Sequence, residues 1–98
     1  MIVSEKIKLV IKNIPEKTGV YQYFDKADKL LYVGKAKNLK KRVRSYFTKS
    51  HKSNRLKILV KKIEKIKYVL VVSEMDALLL ENSLIKEHKP TYNVMLRD

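Results

Sequence analysis

Gly19-Val20-Tyr21-Gln22-Tyr23-Phe24 and Leu30-Leu31-Tyr32-Val33 stand on either side of Asp25-Lys26-Ala27-Asp28. Both flanks are rich in aromatic, branched and aliphatic residues, which suit the half-buried pleat of a sheet. The polar tetrapeptide between them supplies turn formers. The pattern predicts a β-hairpin, with Gly34 ending its second strand. Tyr21 and Tyr32 are each preceded by an aliphatic or β-branched residue, and a strand tyrosine in that setting can pack in the core or face solvent.

Toward the N-terminus, Ser4 to Lys12 carries Ile7, Val10 and Ile11 at helical spacing and stops before Pro15, which predicts a short amphipathic helix. Beyond the hairpin, Asn38 is a cap residue for a helix with the apolar stripe Leu39, Val43, Tyr46 and Phe47. A polar loop from Thr48 to Ser53 leads into a second basic helix, from about Asn54 to Glu64. Tyr68 to Val72 is a continuous β-favouring run, expected as a buried central strand. Ser73 with Asp76 three residues on resembles a capping box and opens a helix to about Lys89, before Pro90. Together these predict an α/β (α+β) domain, a small three-stranded sheet flanked by helices. No repeat, linker or low-complexity tract divides the 98 residues, so 1–98 is expected to form a single domain.

The chain has 45% hydrophobic and 34% charged residues, a globular composition. Cysteine is absent, which excludes disulfides, thiolate metal sites and a cysteine nucleophile and fits a reducing cytoplasm. No apolar run approaches the ~20 residues of a membrane span. Net charge is +13, and it is segregated: Lys29 to Ile63 holds thirteen Lys or Arg and no acid. Scattered lysines would serve solubility. An excess confined to one third of the chain points instead to a polyanion partner. Anionic membrane fits less well, because no strongly apolar face accompanies the basic helices.

Glu81 stands out on the last helix. Its neighbours at three and four residues' distance, Ala77, Leu78, Leu84 and Ile85, are all apolar, and a partly desolvated carboxylate there needs a lysine partner or a metal ion. Arg42 lies at the margin of its helix's inward stripe, one turn from Tyr46. It can either clamp two phosphate oxygens or cover apolar surface with its stem. Lys40, Lys41 and Arg44 are read as one solvent-facing group. His51 and His88 have no metal-like partner at short spacing and are read as solvated. These residues by themselves indicate a nucleic-acid-binding domain with a possible one-carboxylate metal site, and leave catalysis open.

Gly19-Val20-Tyr21, followed after ten residues by Tyr32-Val33-Gly34, resembles the signature of the GIY-YIG nucleases. The likeness continues through Lys35, Asn38-Leu39 with Arg42, Ser45-Tyr46-Phe47, Glu81-Asn82 and Lys89-Pro90-Thr91-Tyr92-Asn93, and runs from about Asn13 to Met95. Within that family it is similar to the N-terminal domain of the excision-repair incision subunit. The resemblance implies a metal-dependent DNA endonuclease that cuts 3′ of a lesion in bacterial nucleotide excision repair. It implies that Glu81 binds one Mg2+ or Mn2+ ion, that Arg42 contacts the scissile phosphate and that Tyr21 and Tyr32 line the site. Lys35, Tyr46 and Asn93 would support them, and Lys37, Lys40, Lys41 and Arg44 would meet the DNA backbone.

A free tyrosine has a pKa of ~10, so the base, Tyr32 in preference to Tyr21, is expected to be tuned by the metal, Lys35 or Arg42. The resemblance further implies a fragment of a longer chain, monomeric when isolated. Its partners would be damaged double-stranded DNA and, through regions outside these residues, the helicase subunit UvrB. The rival is a non-catalytic basic RNA- or DNA-binding module of the ribosomal-protein kind, which has the same charge profile and no use for Glu81.

Overall fold

The computed structural model describes residues 3–48, 50–51 and 53–96. Ser4 opens α1 (Glu5–Asn13), its hydroxyl accepting a hydrogen bond from the Ile7 amide at 3.2 Å, and Ile7 and Ile11 turn inward. The hairpin follows as β1 (Gly19–Phe24) and β2 (Leu30–Ala36). Its turn is held by the Asp25 carboxylate, which accepts from the amides of Ala27 and Lys29, both at 2.9 Å. Asp28 takes the left-handed conformation there, at φ 62°, which a short polar side chain tolerates. β2 runs three residues past Val33, so Gly34 and Lys35 lie inside the strand, paired with Tyr21 and Val20. The expectation that Gly34 ends the strand is corrected.

Asn38 caps α2 (Leu39–Thr48) by accepting from the Lys41 amide at 3.0 Å. Ser53 opens α3 (Asn54–Lys62) in the same way, through Leu56. Then come β3 (Lys65–Leu70), α4 (Glu74–His88) and a short α5 (Thr91–Met95) that the sequence pattern did not reveal. Ser73 caps α4 by accepting from the Asp76 amide and donating to its carboxylate. Lys89 ends it in a left-handed conformation at φ 45°, directly before Pro90.

The sheet is antiparallel in the order β2-β1-β3. The central strand is therefore β1, not the run at Tyr68 to Val72. β3 is an edge strand that begins at Lys65 and ends at Leu70, and Val72 beyond it is 97% exposed. A branched, aromatic run reports an affinity for extended backbone, whereas position within the sheet is decided by which strands pair with it.

Side chains alternate between the faces of β1 and β2. Tyr21 and Tyr23 join a core with Ile7, Ile11, Leu39, Val43, Leu59 and other residues of α1, α2, α3 and α5. Val20 and Val33 join a second core under α4, through Ala77. The two cores sandwich the hairpin, whose strands carry the signature residues.

Candidate active site

Four tyrosines gather on the first of these faces. Tyr23 lies across the strands from Tyr32, and Tyr21 lies opposite Gly34. A Cβ on Gly34 would collide with the Tyr21 ring and hydroxyl, so glycine there admits a tyrosine ring. The Tyr21 hydroxyl, thus seated, shares a 2.8 Å hydrogen bond with the Tyr46 hydroxyl from α2. Tyr21, Tyr23 and Tyr46 are buried, whereas Tyr32 is only half-buried. It is the signature tyrosine with access to solvent.

Burial pushes the Tyr21 and Tyr23 phenols well above their ordinary range, with neighbouring tyrosines adding to the effect. Tyr32 is also pushed upward, first by burial, then by the Tyr46 hydroxyl and the Glu81 carboxylate, while Arg42 opposes the shift. The chain's own cations therefore do not depress the phenol, contrary to expectation. Desolvation outweighs one guanidinium at an exposed position. Tyr32 therefore lies within the electrostatic reach of both Glu81 and Arg42.

Where β2 gives way to α2, a cleft of about 490 Å3 opens between this corner and the start of α4. Lys35, Lys41, Arg42 and Ser45 line it, facing Glu74 and Ala77. Lys37 and Glu74 form an exposed ion pair of 3.7 Å across it. Lys40 and Arg44 instead line a groove on the other flank of α2, toward α1. The three cations read as one group are thus divided, with Lys41 beside Arg42. Ser45 donates to the Arg42 carbonyl at 2.6 Å, and the Arg42 side chain is exposed.

Glu81 sits one helical turn past Ala77, half-buried and outside the cleft lining. Among the described residues it forms no ion pair, so the lysine partner offered as its bland explanation is not seen. No group of three or more His, Cys, Asp or Glu that could hold a metal exists among the described residues. One half-buried, unpaired carboxylate fits a hard ion such as magnesium, which keeps several waters and takes substrate phosphate oxygens as its remaining ligands.

A family profile described as the UvrC-like GIY-YIG domain matches residues 17–94. The chain belongs to this family. It is 62% identical over 92 residues to UvrABC system protein C of Christiangramia forsetii, covering 94% of this chain and 15% of that protein. The protein of the same name from Porphyromonas gingivalis is 55% identical over 98 residues, covering 100% and 16%. The chain thus spans about one sixth of the length of these curated relatives. Among solved structures, it is similar to the GIY-YIG N-terminal endonuclease domain of UvrC from Thermotoga maritima bound to magnesium, its catalytic divalent cation. That match has 33% identity, a TM-score of 0.80 and coverage of 92% of this chain and 98% of the other. A tyrosine-to-phenylalanine mutant of the same domain, bound to its catalytic divalent cation, matches at 32% identity and TM-score 0.81, covering 92% and 97%.

Every candidate residue of this GIY-YIG domain, from Tyr21 to Asn93, lies inside the matched stretch. Asn93 reaches β2 from α5: its carboxamide accepts from the Val33 amide and donates to the Val33 carbonyl, both at 2.8 Å. Those two bonds tie the Asn93 side chain to the strand between Tyr32 and Gly34. His51, read as solvated, is half-buried and bonded through Nε2 to the Tyr46 carbonyl at 2.8 Å. The sequence reading passed over Tyr23, Glu74 and Thr18, whose hydroxyl donates to the Lys37 carbonyl. Tyr23 alternates correctly with Tyr21 for a shared face, and that spacing was the signal available. No helix among the described residues is long and apolar enough to cross a membrane.

Proposed function

We propose that this domain is a divalent-metal-dependent DNA endonuclease that makes the 3′ incision beside a lesion in nucleotide excision repair. The observation that carries this reading is Tyr32, a half-exposed phenol influenced by both the Glu81 carboxylate and the Arg42 guanidinium. Anion, cation and proton acceptor at one corner suit phosphodiester hydrolysis. Glu81 would hold one Mg2+ or Mn2+ ion, which when bound supplies Lewis-acid stabilisation of the departing 3′ oxygen and lowers the pKa of nearby acids. Tyr32, as the phenolate, would accept a proton from the attacking water, whose oxygen bonds to phosphorus as the bond to the 3′ oxygen breaks and that oxygen takes a proton from solvent. The products carry a 5′ phosphate and a 3′ hydroxyl.

Arg42 stabilises the charge on the phosphoryl oxygens, a role often worth ~3 kcal/mol, and Lys35 lines the same cleft. Tyr21 and Tyr46 hold the phenol cluster in register through their mutual hydrogen bond. Lys37, Lys40, Lys41 and Arg44 neutralise DNA phosphates without reading sequence. A purely binding module has no use for Glu81, since an unpaired carboxylate beside phosphate repels it. In the cell the domain would act in the cytoplasm as part of a longer protein, on damaged double-stranded DNA and together with UvrB.

The test is incision of lesion-bearing DNA by the full-length protein with UvrB, comparing wild type with Glu81→Gln. Incision should fall by a factor of about 100 or more, the scale of a lost catalytic group, with the circular dichroism spectrum unchanged. Wild-type incision by a folded Glu81→Gln protein overturns the reading.

A further inference from the structure

We infer that the groove between α1 and α2 is a second nucleic-acid site, shaped for a single strand. α2 presents different residues on its two flanks. Leu39, Val43 and Tyr46 are buried beneath it, and Lys41, Arg42 and Ser45 open into the catalytic cleft. Lys40 and Arg44, one turn apart, face the other way, toward Lys8 and Lys12, also one turn apart on α1. The groove between these two rows of cations has a volume of about 350 Å3, within the ~300–1,000 Å3 of small-ligand sites. No acid lines it.

The floor identifies the occupant. Between the cations lie Val3 and Phe47, apolar and only partly covered by the core, with the buried Ile11 beside them. A duplex keeps its base faces stacked inside and would offer this floor only sugar and phosphate. An inorganic anion would gain nothing from it. A single strand offers both complements, phosphates for the lysines and arginine and unstacked base faces for Phe47 and Val3. The groove is concave, which suits a strand better than a flat anionic membrane. Lys8 is already paired with Glu5 at 3.5 Å, but that contact is exposed and exchanges easily for phosphate.

The test reverses the charges that belong to this groove alone. The Lys8→Glu/Lys12→Glu double variant alters two exposed side chains on α1, so the fold should survive, as circular dichroism would verify. Fluorescence anisotropy compares its binding to a labelled oligothymidylate of about 12 nucleotides with binding to a duplex of the same length. The oligothymidylate should lose at least about tenfold in affinity and the duplex less than about threefold. In the wild type, 5-iodouracil in the oligonucleotide should cross-link to Phe47. Equal losses for both probes would make the groove a track for duplex backbone, and no loss would leave it without nucleic acid; either overturns the inference. Incision lost in Glu81→Gln while oligothymidylate binding survives charge reversal would remove this site and leave the nuclease reading standing.

Discussion

The ring of Tyr21 fills the space that a side chain on Gly34 would need. The two residues pair across β1 and β2, so the closing glycine of one signature segment exists to seat the tyrosine of the other. The hydrogen bond from Tyr21 to Tyr46 depends on that seat. Gly34→Ala should therefore push Tyr21 off Tyr46 and destabilise the domain by about 1–3 kcal/mol, the usual cost of overpacking. Urea unfolding measures the loss, and incision should fall with it. A Gly34→Ala protein of wild-type stability would show that the ring moves aside freely.

Asn93 gives a second test, because its carboxamide pairs with both backbone groups of Val33. Asn93→Ala leaves a donor and an acceptor of β2 without partners, which costs about 1–3 kcal/mol at partly buried groups. Asn93→Asp should be no better, since one carboxylate oxygen then faces the Val33 carbonyl. Hydrogen exchange at the Val33 amide should speed up in both variants. An unchanged exchange rate would mean the strand edge is held by something else.

The raised phenols set the alkaline limit of stability. Tyr21, Tyr23 and Tyr32 hold their protons more tightly in the folded chain than the ordinary ~10 of an unfolded tyrosine. Their contribution is complete below about pH 10 and is lost as pH climbs through the range between unfolded and folded values. Thermal melts at rising pH should show a steep loss of stability above about pH 10. Tyr21→Phe should flatten that slope relative to wild type, a comparison in which the lysine titrations cancel. Identical slopes would contradict the burial of the phenol.

Tyr23 carries the one buried side-chain polar atom without a hydrogen-bond partner among the described residues, its hydroxyl oxygen. Deleting it removes an uncompensated desolvation cost, so Tyr23→Phe should stabilise the fold by about 1 kcal/mol. Denaturant titration decides the sign, and destabilisation would show that the hydroxyl has a partner in solution.

Much of this was legible from local pattern. The hairpin, the caps at Asn38 and Ser73 and the inward faces of α1 and α2 follow from residue type and spacing. What escaped depends on distant pairing. Nothing near Tyr68 says that β1 has two neighbours and β3 one. The bonds from Asn93 to Val33 join residues sixty apart. Lys40, Lys41 and Arg44 look alike in sequence because α1, which claims two of them, enters through tertiary packing. At Tyr32 the nearby cations were visible, but the burial that outweighs them was not.

The most direct measurement is anomalous diffraction from manganese-soaked crystals of the wild type and Glu81→Gln. One manganese peak is expected beside the Glu81 carboxylate, on the side toward Tyr32 and Arg42, and none in the variant. A peak that persists in Glu81→Gln, or manganese bound only elsewhere in the wild type, contradicts a metal site built on this carboxylate.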